Sequence, residues 1–404
     1  MLQFKDLRVM IEGIQSTREF TSLFNSVNIK PYPGVYRDLF PVETRQTFLS
    51  VEYNTCPETI QDNDNPKGSR SYSFPFFFIL PATTTRPDDG IPRLCQSLPP
   101  TFEANIQSSA SDLSVQYVIR AIIDCVRVSS RGTSAAGVIE GAREIGFLPY
   151  TMIQPPIQTA WFPNEFITRA LLPLRRHVFG RRLGCFTLSA SEPCPLIYSL
   201  PSDLPSTECA LKIIASIKVS AISHLQDISL KIKSAISVRT FYSPTPSSCV
   251  PGQLSQSRRT GVRFDTKEVG RATQHCAKID WTPSSESPTA NEFGSEGDRD
   301  RATSDAKDKT EVGHWETMIL VPSKPQEALL PTFCSTLLAR SYTLRVYVQL
   351  LGVKTERALL EVPLQVVYPV PSKADSASGP ERPGPCKGPI ILLAQDNVLP
   401  PRYD

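Results

Sequence analysis

The chain is poor in the residues that most chemistry needs. Its 404 residues include 4 His, 4 Met and 3 Trp. No Gly-x-Ser-x-Gly, phosphate-binding Gly/Lys loop or His-Glu-x-x-His occurs. His177, His224 and His314 have no nucleophile at a familiar spacing, so no catalytic activity is expected. Cysteine is more plentiful, 10 in all, but no Cys-x-x-Cys is present and His275-Cys276 is the closest His/Cys pair. A zinc site needs four ligands at suitable spacing, and none is visible, so neither metal nor cofactor is expected. Long apolar runs are missing too. The longest, Phe74 to Ala82, carries Pro75 and Pro81 and falls far short of the roughly 20 residues of a membrane span. The opening MLQFKDLRVMIEGI places charges among its apolar residues, unlike the core of a signal peptide. The expectation is a cytoplasmic chain with reduced thiols. A net charge of +3 over this length gives no argument for nucleic acid as a partner.

What the chain has is proline, 37 residues of it, and β-favouring runs. Leu7, Val9 and Ile11 alternate with polar residues. Ser114 to Val128, Ala210 to Val219, Ile228 to Phe241, Thr317 to Val321, Tyr342 to Val353 and Leu359 to Tyr368 are rich in Val, Ile, Thr and Tyr. Pro, Gly and Ser clusters separate them, which is the pattern of strands. Strands without βαβ spacing predict an all-β chain of sandwiches rather than a doubly wound sheet.

One internal echo organises these strands. Phe78-Ile79-Leu80-Pro81, Leu98-Pro99-Pro100-Thr101-Phe102 and Tyr117-Val118-Ile119-Arg120 follow one another in the first half. Ile319-Leu320-Val321-Pro322, Leu330-Pro331-Thr332-Phe333 and Tyr342-Thr343-Leu344-Arg345 follow in the same order in the second. The echo predicts two related β-sandwich domains, residues 1–153 and 154–370. The boundary falls at the Pro-Pro of TMIQPPIQ, because such a pair is excluded from a central strand. Residues 243–313, rich in Ser, Thr, Pro, Asp and Arg, read as a largely disordered insertion. Residues 371–404 read as a flexible Pro/Gly/Ser-rich tail whose short apolar stretch Ile390 to Leu393 stands apart.

That tail closes on Leu399-Pro400-Pro401-Arg402-Tyr403-Asp404, which contains the Pro-Pro-x-Tyr pattern read by WW domains. Consecutive prolines hold φ near −65° and so pre-form the polyproline II helix that a WW groove takes. A second pocket takes the tyrosine. Pro400, Pro401 and Tyr403 are the expected WW-binding residues, flanked by Leu399 and Asp404.

At this point the order of motifs resembles the arrestin-like proteins, in particular the fungal α-arrestins. SYSFPFFFILP, LPPTFEA and VQYVIRAII resemble their N-terminal domain. Gln154 to Phe166, Gly180 to Leu200 and Leu330 to Val348 resemble the linker and C-terminal domain. The resemblance covers most of the chain outside the insertion and tail. It implies two immunoglobulin-like sandwiches in tandem. It also implies an adaptor that brings a HECT-type ubiquitin ligase, through its WW domains, to membrane transporters or receptors at the plasma membrane or endosomes. A signalling scaffold, for example in ambient-pH sensing, is the alternative. Strands that usually precede the segment resembling Leu2 to Gly13 are not in this sequence, which predicts an exposed edge and a partly uncovered first core.

Three further sets of residues stand out. Arg175, Arg176, Arg181 and Arg182 form the densest basic cluster, with a chemistry suited to phosphate or acidic lipid headgroups. Lys267, Lys278, Lys307 and Lys309 are expected to be accessible ubiquitin acceptors. Ser243-Pro244, Thr245-Pro246, Thr282-Pro283 and Ser287-Pro288 are steps at which phosphate would add charge.

Overall fold

The computed structural model describes residues 2–22, 39–54, 61–64, 70–73, 76–81, 83–84, 96–107, 111–128, 134–156, 159, 165–175, 182–199, 204–219, 222–246, 262–284, 312–353, 355–370 and 391–392. The architecture is all-β and mostly antiparallel, as the strand pattern predicts.

The first half is built on long strands: β1 (Leu2–Ser22), β2 (Leu39–Asn54), a hairpin of β3 (Gln61–Asp64) and β4 (Arg70–Ser73), then β5 (Phe102–Ile106), β6 (Ser111–Val128) and β7 (Ser134–Phe147). The principal sheet has the order β2-β1-β6-β7, with β5 pairing the start of β6. β1 therefore lies inside the sheet, between β2 and β6. The edge expected at Leu2 to Gly13 is covered by β2 from Arg8 onward, while Leu2 to Leu7 pair among the described residues with β6 alone.

Alternation fixes which face is buried. Val9, Ile11 and Gly13 on β1 face the same way as Val115 and Tyr117 on β6 and Leu49 on β2. The second half completes this core: Tyr242, Phe333, Leu337 and Leu338 pack into the same cluster as Ile11, Phe48 and Tyr117.

The second half is a sandwich. One five-stranded sheet runs through β8 (Arg169–Arg175), β9 (Arg182–Ala190), β11 (Thr207–Lys218), β15 (Val312–Ser323) and β14 (Thr282–Pro283). The other runs through β13 (Arg263–Cys276), β12 (Ser229–Tyr242), β17 (Leu338–Leu351) and β16 (Phe333–Cys334), with β18 (Ala358–Leu364) on β17. Short β10 (Leu196–Ile197) and β19 (Val366–Val367) pair in parallel, and one helical turn, α1 (Ser223–Gln226), precedes β12. Phe186, Leu188, Leu211 and Ile213 from one sheet meet Leu344, Val346 and Leu360 from the other in a single core. The strands β13 and β14 fall inside residues 243–313, read from composition as largely disordered. Half of the β13 positions are exposed, with Val269 its one deeply buried apolar residue. An edge strand solvated on one face needs few apolar residues, and its pairing to β12 supplies the backbone hydrogen bonds that composition does not reveal.

The echo has a physical basis. The Tyr117 hydroxyl donates to the Pro99 carbonyl at 2.6 Å, and the Tyr342 hydroxyl donates to the Leu330 carbonyl at 2.7 Å. In each half the tyrosine thus pins the Leu-Pro corner preceding its own strand. The phenylalanines that follow those corners, Phe102 and Phe333, meet ring to ring at 5.9 Å. The two corners therefore form the joint between the halves. Arg340 lies across it, 5.3 Å from the Phe102 ring and 5.7 Å from the Tyr342 ring. The Phe78 to Pro81 part of the echo lies outside any strand, whereas Ile319 to Val321 lies in β15.

Candidate functional site

Two features outside the hydrophobic cores bear on function: the attachment of the tail and a polar seam between the halves. The tail returns to the first half through β20 (Ile391–Leu392), which pairs in parallel with Gly146 and Phe147 of β7. β7 is otherwise the outer strand of its sheet among the described residues, and its Val138 and Ile139 are exposed. Leu399, Pro400, Pro401, Tyr403 and Asp404 lie outside the described residues. Leu399 lies seven positions and Tyr403 eleven positions beyond Leu392, which limits the start of the motif to about 25 Å and its tyrosine to about 40 Å from the β7 end.

The seam is built by the second stretch of β1. Beyond Ile11 the same face carries Gln15, Thr17 and Glu19, each 1% exposed or less. Gln15 donates to the Thr336 hydroxyl at 2.6 Å and to the Gln46 side-chain Oε1 at 2.8 Å, and its own side-chain oxygen accepts from Ser335 at 2.6 Å. The Thr336 hydroxyl in turn donates to Gln46 at 2.6 Å. Thr17 donates to the Ser243 carbonyl at 3.3 Å, and Thr44, opposite it on β2, donates to the Pro244 carbonyl at 2.6 Å. A small gap, lined by Phe241, Val262 and residues 335–339 among others, adjoins the contact. Gln15→Ala would remove the three hydrogen bonds that join Gln15 to Gln46, Ser335 and Thr336, leaving Thr336 its bond to Gln46 and Ser335 its bonds to Leu338. We expect a loss of about 1–3 kcal/mol, read as a lower denaturant midpoint at unchanged slope.

Glu19 closes the seam. Its Oε2 lies 3.0 Å from the Arg263 guanidinium, which is 45% exposed. Its Oε1 is buried without a hydrogen-bond partner. Burial pushes the carboxyl above the ordinary 4.5, and Arg263 pulls it partly back. The folded protein then holds this proton more tightly than the unfolded chain, so the group's contribution to stability falls as pH rises through the window above 4.5. A Gln at this position has no such dependence. The melting temperature of the native protein minus that of Glu19→Gln is expected to decrease between about pH 4 and about pH 7. The opposite trend in paired thermal scans would mean that the Arg263 pair outweighs burial.

The remaining candidates divide. Arg175 is exposed at the end of β8, directly opposite Arg182 in the β8–β9 pairing; Arg176 and Arg181 lie outside the described residues. Lys267 is 65% exposed on β13 and donates to Glu327 at 3.1 Å. Lys278 is exposed, and Lys307 and Lys309 lie outside the described residues. Ser243 is 2% exposed, with its hydroxyl accepting from the Thr245 amide at 3.2 Å. It is therefore closed to a modifying enzyme, contrary to the expectation from its Ser-Pro step. Among the described residues no three His, Cys, Asp or Glu side chains gather as a metal site, and no helix is long and apolar enough to cross a membrane. His314 sits on β15 with its Nδ1 3.0 Å from the Ser216 hydroxyl.

Sequence reasoning found the tail motif but not the seam. Gln15, Thr17 and Glu19 carry no motif of their own in the sequence. The available signal was parity, since they continue the face that begins with Val9 and Ile11. No protein-family model matches the chain, and no curated protein matches it.

Proposed function

We propose that the chain is an arrestin-like adaptor that recruits a HECT-type ubiquitin ligase through its Pro-Pro-x-Tyr motif and presents membrane transporters or receptors to it. The motif at Pro400, Pro401 and Tyr403 carries the reading. Its prolines need little ordering, so a WW groove binds them without a large entropic penalty. The all-β body is in keeping with an interaction protein: its polar clusters are ion pairs and strand-bridging hydrogen bonds. The β20 pairing adds a tether, since a ligase domain on the motif would be held within about 40 Å of the first-half sheet. Cargo tails seated on either half would then lie within range of the ligase. The basic residues Arg175 and Arg182, opposite one another, would assist at an acidic membrane by on the order of 1 kcal/mol each, screened by salt.

The test is affinity purification of the full chain from cells, with ubiquitin measured on the co-purified transporters. The adaptor reading expects ligase and transporter together. It also expects that Tyr403→Ala keeps the transporter but loses the ligase and most of the transporter's ubiquitin. Unchanged transporter ubiquitination in that variant would sink it.

A further inference from the structure

The segment leaving β12 is Ser243-Pro244-Thr245-Pro246, and it is gripped by both halves of the protein. The Ser243 amide donates to the Leu337 carbonyl at 3.0 Å, while the Ser243 and Pro244 carbonyls accept from Thr17 and Thr44 of the first half. Thr245 and Pro246 emerge from this grip exposed. The two other described Ser/Thr-Pro steps are different. Ser243 is buried, and the Thr282 hydroxyl lies within the β14–β15 pairing, donating to the Glu316 carbonyl at 3.1 Å. Thr245 sits at a bend, its amide donating to the Ser243 hydroxyl at 3.2 Å and its own hydroxyl 3.4 Å from that oxygen, and it is followed directly by the proline that a proline-directed kinase reads.

Beside this segment stands an ion pair poised for exchange. Arg263 is directly opposite Tyr242 in the β12–β13 register, three residues before Thr245. Its guanidinium is 45% exposed, whereas the Glu19 carboxylate it neutralises is 1% exposed and has a second oxygen with no partner.

We propose that Thr245 is a phosphoacceptor whose phosphate competes with Glu19 for Arg263 and so loosens the seam between the halves. The kinase transfers the γ-phosphoryl group of ATP to the Thr245 Oγ1. The bond to the β-phosphate oxygen breaks, ADP leaves, and the hydroxyl proton passes to the kinase base. The product carries close to two negative charges and three acceptor oxygens that suit the guanidinium fork. A dianion on the surface and a buried carboxylate cannot both hold one arginine well. When Arg263 turns outward, Glu19 is left unpaired inside the seam, and at a pH where it stays charged the contact opens to hydrate it.

The experiment uses the full chain, phosphorylated in vitro with ATP by a proline-directed Ser/Thr kinase. The modified position is located by peptide mass, and amide hydrogen exchange is followed in residues 14–19, 42–46 and 243–246. Phosphate on Thr245 should accelerate exchange in these segments at least tenfold. The Thr245→Ala chain, treated identically, should be unchanged whatever other positions it carries phosphate on. In Glu19→Gln there is no buried charge to strand, so the same phosphate should alter exchange less than twofold. Absence of phosphate from Thr245, or phosphate there with unchanged exchange, would overturn the proposal. Equal acceleration in Glu19→Gln would overturn the competition for Arg263 on which it rests.

Discussion

Tyr403→Ala is expected to weaken binding of the full chain to the WW domains of a HECT-type ligase at least a hundredfold, with no change in its thermal transition. The argument has two parts. A WW ligand of this kind has two anchors, the proline pair and the tyrosine, and removing a buried aromatic anchor from a small interface costs about 3 kcal/mol, which is about a hundredfold. Tyr403 lies eleven positions beyond Leu392, the last residue of the strand that pairs with β7. Truncating it touches neither apolar core. A titration of native and variant chains against isolated WW domains measures the first part, and a thermal scan of the same samples measures the second. Equal binding by the two chains would reduce Pro-Pro-Arg-Tyr to a chance match.

Gly184→Ala is expected to do the reverse: to cripple the fold and spare the motif. Gly184 pairs with Ile217 where β9 and β11 lie side by side. A Cβ there would stand 2.1 Å from the Ser216 carbonyl oxygen and 2.9 Å from the Ile217 Cα. Both are backbone atoms of a strand hydrogen-bonded on its far side to β15, so neither can step aside without breaking a ladder. The same strand carries Leu211, Ile213, Ala215 and Ile217, all fully buried. Relieving the clash means prising β9 away from β11 and exposing part of that core. A loss of about 3–5 kcal/mol follows, a large part of the stability of any domain. The melting temperature should fall by on the order of 10 °C. A variant melting within about 2 °C of the native protein would show that the strands separate locally at little cost. A peptide spanning Ile390 to Asp404 should bind WW domains equally well whatever happens at Gly184.

The parts of this structure that the sequence makes legible are those where burial dictates residue type. β11, β12, β17 and β18 are strands packed within the second core, and their Val, Ile and Leu content announces them. The Leu-Pro…Phe…Tyr echo is legible for the same reason, because each tyrosine must reach its own corner carbonyl. β7 is not legible: Ser134 to Phe147 mixes Gly, Glu and Arg with exposed Val138 and Ile139, since much of the strand faces solvent. β13 escapes for a similar reason at the edge of its sheet. The tail motif can be read because its chemistry is local, four residues in a row. The seam cannot be read that way. Gln15 acquires its meaning only from Ser335 and Thr336, and no window along the chain contains both ends of that contact.

That separation also governs when the protein can be finished. Ser335, which bonds the Gln15 side chain, is synthesised 320 residues after it. At the usual pace of translation this is an interval of about 15–60 s. For the part of it after Phe147, the last residue of β7, the first-half sheet is complete without Phe333, Leu337 and Leu338, so its apolar face has no lid from the second half. The nascent chain thus passes through a long stage in which its earliest strands are made and still sticky, and chaperones that bind exposed apolar sheet should be found on ribosomes partway along this message and released once residue 338 has cleared the exit tunnel.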